Sequence, residues 1–359
     1  MKVEKLRQFY KGKKVLLTGH TGFKGSWLCC LLHELGAELY GYALAPEEPS
    51  LFRMLEAEEQ LLKESCIGDV RDYDKLAAFY RQAAPELVIH LAAQPLVRES
   101  YRIPRETYET NVMGTVNLLE CIRLMPCASF LNVTTDKVYL NEELPGYAYK
   151  EDDKLDGYDP YSNSKSCSEL VTHSYACSFL REQGVAVSTA RAGNVIGGGD
   201  YALDRILPDA VRAVEAGNPL TVRNPGSVRP YQHVLEALLV YLIILMEQTE
   251  DPSLCGSYNV GPDSSGCITT GTLCDLFFRT YGEGTGWTAP GGITGPHEAG
   301  LLRLDNRKIK DCFQWKSIWN VEEAVEKTAV WYKRLAEGRE SALSLTRGQI
   351  RAYLEAAAG

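Results

Sequence analysis

Tyr161-Ser162-Asn163-Ser164-Lys165 places a phenol and an ammonium one helical turn apart on the same face. A free phenol titrates at about 10, so it acts as a base at neutral pH only where a nearby cation favours the phenolate. Lowering that value by about three units takes roughly 4 kcal/mol, which Lys165, a cationic cofactor and partial burial can supply together. Upstream, Thr134-Thr135-Asp136-Lys137 sets a hydroxyl, a carboxylate and an ammonium in succession. Thr135 can share a hydrogen bond with a substrate hydroxyl attacked by Tyr161, while Asp136 and Lys137 offer an acid and a base at a neighbouring carbon.

A Y-x-x-x-K pair alone occurs in many helices. Weight comes from the segment Thr18-Gly19-His20-Thr21-Gly22-Phe23-Lys24-Gly25, a G-x-x-G-x-x-G loop between a β-rich run and a helical pattern over 23–35. Its glycines permit a tight turn and close backbone approach, and a helix N-terminus receives a pyrophosphate. That predicts a dinucleotide site. Gly68-Asp69-Val70 ends the third predicted strand, where a carboxylate can accept from an adenine amino group, and His90-Leu91-Ala92-Ala93 ends the fourth, where small residues admit a ligand. Gly41-Tyr42-Ala43-Leu44-Ala45 holds neither an acid for a ribose hydroxyl nor an Arg for a 2′-phosphate, so NAD is favoured over NADP.

The elements that must position these groups read as alternating strands and helices. Strands are predicted over 15–18, 39–44, 61–69, 87–93, 130–135 and 186–194, with helical patterns between them. Such alternation implies right-handed crossovers and a doubly wound parallel sheet in an α/β domain. After Val195, Gly and Pro punctuate shorter elements, and a helix over 231–248 with a strand over 257–260 rejoins the sheet. Residues 262–297 are Gly-rich and weakly periodic, and Asn320-x-x-Glu323 predicts a capped helix to about Ala336. The expected division is 1–195 with 228–262 around the cofactor, and 196–227 with 263–359 as a smaller, interleaved substrate-binding lobe.

Composition sets the outer bounds. The chain has 359 residues, 45% hydrophobic and 24% charged, ample for a sizeable core. Its net charge of -9, with no basic block, argues against nucleic acid or a polybasic membrane contact. The apolar run Ala237 to Met246 is far short of the roughly 20 residues a membrane span needs and predicts a buried helix. Eleven cysteines without a C-x-x-C pair read as reduced, buried thiols in a cytoplasmic protein, and no metal site is expected.

The glycine loop, Thr135 and the Tyr161/Lys165 pair together resemble the extended short-chain dehydrogenase/reductase superfamily. Longer strings, HTGFKGSW from His20, TTDKVY from Thr134, GYDPYSNSK from Gly157 and RAGNVIGGGD from Arg191, are similar to its CDP-glucose 4,6-dehydratase family. The resemblance implies a Rossmann-type fold, NAD restored within each turnover, and loss of water from a nucleotide sugar to give a 4-keto-6-deoxy product. It implies Asp136 as acid and Lys137, which replaces the Glu of dTDP- and GDP-sugar relatives, as base. It also implies Asn111 beside the catalytic groups, substrate contacts from Gln94, Asn194, Arg205 and Arg229, and a homodimer. The chain departs from the family pattern at Tyr201 and Tyr231 (usually Trp), at Thr135 (usually Ser) and near Ala45 (usually Asp). An epimerase of the same superfamily, or a non-catalytic dinucleotide sensor, are the alternative readings; the Asp136-Lys137 pair argues against the first and the intact Tyr161, Lys165 and Thr135 against the second.

Overall fold

The computed structural model describes residues 3–263, 266–282, 286–289 and 301–358. Seven strands form one sheet: β1 (Lys14–Thr18), β2 (Glu38–Ala43), β3 (Glu64–Ile67), β4 (Leu87–His90), β5 (Ser129–Thr134), β6 (Ala186–Ala192) and β7 (Ser257–Val260). Their order is β7-β6-β5-β4-β1-β2-β3, and every neighbouring pair is parallel. The chain therefore reverses its direction of travel between β1 and β4, and the loops leaving those two strands face a shared crevice.

Side-chain alternation divides the core between the two faces of the sheet. Val15, Leu17, Ile89, Leu131 and Val133 pack into one cluster, while Leu16, Val88 and Phe130 pack into the other. The Val234–Glu250 helix belongs to the first cluster and buries Ala237 to Met246 without a break, as the apolar run predicts. It starts later than the expected Tyr231 because Gln232–His233 pairs as a short strand with Val195–Ile196. The His233 ring then caps the helix through Nδ1, which accepts from the Leu235 N–H at 3.3 Å.

Other boundaries also shift. The predicted strand over 61–69 contracts to β3, preceded by the short helices Leu51–Met54 and Ala57–Gln60. The weakly periodic stretch over 262–297 contains a 12-residue helix, Thr270–Tyr281, capped by the Thr269 side chain; residues 264–265, 283–285 and 290–297 of that stretch lie outside the described ones. The Asn320/Glu323 capping box is present at the start of Val321–Ala336, and a further helix, Ala342–Ala358, follows it. All eleven cysteines are free, but only Cys29, Cys30, Cys121, Cys127 and Cys274 are buried; Cys177 and Cys312 are exposed, so the expectation of uniformly buried thiols is corrected. Among the described residues, no helix is long and apolar enough to cross a membrane.

Candidate active site

The glycine loop is shaped by what its neighbours leave free. Gly19 has φ +77°, and a Cβ there would lie 2.7 Å from the Ala92 backbone nitrogen. A Cβ on Gly25 would lie 2.2 Å from the Gly19 carbonyl oxygen, so the helix after β1 can pack against the loop only with glycine at that position. Gly22 caps the Phe23–Glu34 helix without a side-chain bond, leaving that N-terminus open to an anion. Thr21 Oγ1 donates to the Leu44 carbonyl at 2.9 Å, tying the loop to the segment after β2. His20 explains the glycine in β2: its ring lies where a Cβ on Gly41 would sit, 2.5 Å away.

A buried polar relay connects this loop to the catalytic helix. Thr18 Oγ1 accepts from the Leu91 and Ala92 N–H groups at 3.2 and 3.3 Å and lies 2.6 Å from His90 Nδ1. Burial holds His90 down to about 3, so the ring is neutral. The consistent tautomer has Thr18 donating to Nδ1 and Nε2–H donating to Thr115 Oγ1 at 3.1 Å. Asn111 continues the tether: it accepts from the Gln94 N–H at 2.8 Å and donates to the Gln94 carbonyl at 3.1 Å and to Ser164 Oγ at 2.9 Å.

Three predicted ligand contacts are engaged within the protein. Asp69 accepts three bonds from Arg71, through the backbone N–H, Nε and Nη2, and Arg71 holds its carboxyl below the usual range. One lone-pair direction of the carboxylate remains for an adenine amino group. Val70 packs on Gly114, where a Cβ would come 2.6 Å from its Cγ2. The Gln94 side chain bonds Leu96 in its own loop and Thr107 on the Pro104–Tyr108 helix.

At the carboxyl ends of β5 and β6 the chemical groups converge. Thr135 Oγ1 donates to Asp136 Oδ1 at 3.0 Å, Lys137 Nζ lies 3.4 Å from the same oxygen, and Asn194 Nδ2 donates to Oδ2 at 3.3 Å. Asp136 is fully buried, whereas the Lys137 side chain is 29% exposed. Burial pushes the Tyr161 phenol up to about 12, against the Thr135 hydroxyl, which hydrogen-bonds it and lowers it. Burial likewise lowers Lys165 to about 8, opposed by Glu169, and its amine donates to the Val133 carbonyl at 3.0 Å.

Arg205 pairs with Asp200 at 2.9 Å and bears electrostatically on Tyr161. Arg229 is not drawn into this group: among the described residues its guanidinium bonds the Val228 carbonyl and none of the catalytic side chains.

Residues 15–261 match the model of the NAD dependent epimerase/dehydratase family. The chain belongs to that family. It is 42% identical over 358 residues, 98% of each chain, to the CDP-glucose 4,6-dehydratase of Salmonella typhimurium. It is 25% identical over 281 residues to the dTDP-glucose 4,6-dehydratase of Xanthomonas campestris, covering 74% of this chain and 77% of that one. Among solved structures it is similar to the Thermus thermophilus UDP-glucose 4-epimerase in complex with NAD, with TM-score 0.78, 24% identity, and 89% and 98% of the two chains covered.

The residues of this family member fit the dinucleotide. Gly19 and Gly25 let the loop fold tightly against the Ala92 backbone and against itself, and the Phe23–Glu34 helix that follows presents an N-terminus without a side-chain cap.

Three features escaped sequence reasoning. Lys24, assigned to the cofactor loop, also stands in the field of the catalytic groups: burial and the charges of Arg205, Lys165 and Lys137 hold its amine down to about 7, against Asp136. Gly193 lies directly beneath the Asp136 carboxylate. Glu169 and Arg191 form a buried ion pair behind the site. Only Glu169 left a local signal, since it follows Lys165 at the i+4 spacing of a helix face.

Proposed function

We propose that this chain catalyses the NAD-dependent 4,6-dehydration of CDP-glucose to CDP-4-keto-6-deoxyglucose. The observation that carries the reading is the buried Asp136 carboxylate bonded to Thr135 and close to Lys137, beside the Tyr161 phenol. An epimerase has no use for a second acid and base. The near full-length relative, itself a CDP-glucose 4,6-dehydratase, supports the choice of base and sugar.

The Gly19-Gly22-Gly25 loop and the N-terminus of the Phe23–Glu34 helix would hold NAD, which would supply a reversible hydride acceptor between C4 and C6 of the sugar. Tyr161 Oη receives the proton of the sugar 4-hydroxyl, with Thr135 Oγ1 steering that hydroxyl and Lys165 stabilising the phenolate. A 4-ketone acidifies the C5 proton. Lys137 removes that proton, Asp136 protonates the departing 6-hydroxyl so that water leaves, and the protonated Lys137 returns a proton to C5 as hydride adds at C6. Arg205 and Arg229 are assigned to the substrate diphosphate, for which a planar guanidinium fork is the suited group, and Asn194 to a phosphate or sugar group. Asn111 is assigned to the cofactor side, beside the catalytic groups, and Gln94 to the substrate. The cofactor domain is assigned to 1–195 and 228–262 and the substrate lobe to the remainder.

The reading also includes a cytoplasmic homodimer formed through the helices around Asn111 and Tyr161. Met113, Leu124, Leu170 and Phe179 on those segments are exposed, which supports it. A monomeric mass by sedimentation at micromolar concentration would overturn the dimer.

The test incubates the protein with CDP-, dTDP-, UDP- and GDP-hexoses and follows product mass. Loss of one water from CDP-glucose is the expected result. A product isomeric with its substrate would instead establish an epimerase, and no product from any donor would overturn catalysis. In deuterated water, Lys137→Met is expected to retain CDP-glucose binding and lose deuterium uptake at C5; uptake at the wild-type rate would dismiss Lys137 as the base.

A further inference from the structure

One helical turn past Lys165, Glu169 is 3% exposed, and Arg191 on β6 is 2% exposed. Arg191 Nε and Nη2 donate to the two Glu169 carboxylate oxygens at 2.8 and 2.6 Å. The same carboxylate accepts from Thr134 Oγ1 at 2.5 Å and from Thr189 Oγ1 at 2.9 Å. The remaining arm of the guanidinium, Nη1, donates to Tyr139 Oη at 2.7 Å and to the Glu151 carbonyl at 2.8 Å, and its carbon lies 5.0 Å from the Tyr139 ring centre. Tyr139 Oη in turn donates to Asn259 Oδ1 on β7 at 2.6 Å.

Burying such a pair returns little net stability, because desolvation offsets the attraction; its best-attested use is to fix register. Here the partners are placed for that use. Thr134 immediately precedes Thr135, and Tyr139 lies two residues after Lys137, so the loop bearing the hydroxyl, the acid and the base is gripped at both ends. The helix bearing Tyr161 and Lys165 is gripped by the same pair through Glu169. We propose that the Glu169–Arg191 ion pair is a positioning device that holds the Tyr161/Lys165 helix in register with the Thr135-Asp136-Lys137 loop. The assay rests on the catalytic reading given above.

The pair has a second effect, through charge. Glu169 opposes the desolvation that lowers Lys165, which also stands near Tyr161 on its own helix, Lys24 on the Phe23–Glu34 helix and His90 on β4. Removing Glu169 lowers the Lys165 value further, so the protonated amine that supports Tyr161 is lost at a lower pH.

Glu169→Gln leaves Arg191 buried without its partner and can fail to fold, so the deciding variant is Glu169→Gln with Arg191→Met, which removes both charges. The substrate is whichever nucleotide sugar the wild-type protein converts, so a wrong nucleotide base in the functional reading leaves the comparison intact. In the folded double variant, kcat is expected to fall at least tenfold with KM within threefold of wild type. The alkaline limb of its pH profile moves to lower pH, and hydrogen exchange quickens over residues 135–139. Arg191→Lys, which keeps the charge without the fork, is expected to recover part of the rate. Unchanged kcat, pH profile and exchange in the double variant would overturn the proposal. Exchange is read without turnover, so a wild-type protein inactive on every sugar would sink the functional reading alone.

Discussion

Tyr161→Phe is expected to lower turnover about a thousandfold or more, within the range that a positioned general base contributes. The phenyl ring keeps its buried place, and the Thr135 to Asp136 bond at 3.0 Å does not depend on the phenol, so melting temperature should move by no more than a few degrees. What is lost is the one oxygen that can accept the sugar proton. Burial sets that phenol at about 12 in the protein alone. Reaching the phenolate at pH 7 is then uphill by five units, roughly 7 kcal/mol at about 1.4 kcal/mol per unit. Arg205 and Thr135 already lower the phenol within that value, and Lys165, at about 8 and so mostly protonated at pH 7, is the cation one helical turn away that favours the phenolate. The measurement is steady-state loss of water from the sugar, together with NAD binding by fluorescence. A variant with kcat within tenfold of wild type would remove Tyr161 from the catalytic role.

The parts of this site legible in the sequence are those whose geometry is local. Gly19, Gly22 and Gly25 follow β1 directly, and Tyr161 and Lys165 share one face of one helix, so spacing along the chain is spacing in space. The sheet was legible for a related reason: β1, β2, β4, β5 and β6 are β-branched or apolar runs separated by helical patterns of crossover length. What stayed hidden depends on packing between distant elements. Arg191 meets Glu169 only because β6 lies beside β5 and the Pro160–Tyr175 helix covers them. The reading of Gln94 as a substrate contact came from the family resemblance, while its bonds to Leu96 and to Thr107 depend on how its loop meets the Pro104–Tyr108 helix. Likewise, the Thr270–Tyr281 helix buries Leu273, Cys274, Phe277 and Tyr281 at helical spacing, but flanking glycines masked its ends.

Gly193→Ala tests the acid without touching it. The glycine does not have a positive φ, so alanine is not excluded by the backbone; the obstacle is a Cβ 1.9 Å from Asp136 Oδ2 and 2.3 Å from its Cγ. A fully buried carboxylate cannot share that space and must swing away, giving up Thr135 Oγ1 and Asn194 Nδ2. Overpacking of this kind costs about 1 to 3 kcal/mol of stability. The departing 6-hydroxyl then lacks its proton donor, and water loss is expected to fall about a hundredfold or more. Combining Gly193→Ala with Asp136→Ala separates the two effects. Removing the carboxylate relieves the clash, so the melting temperature of the double variant should return to that of Asp136→Ala alone, while turnover stays low in both. Gly193→Ala with wild-type turnover would mean that the position of Asp136 does not matter to the elimination, and the acid would have to be sought elsewhere.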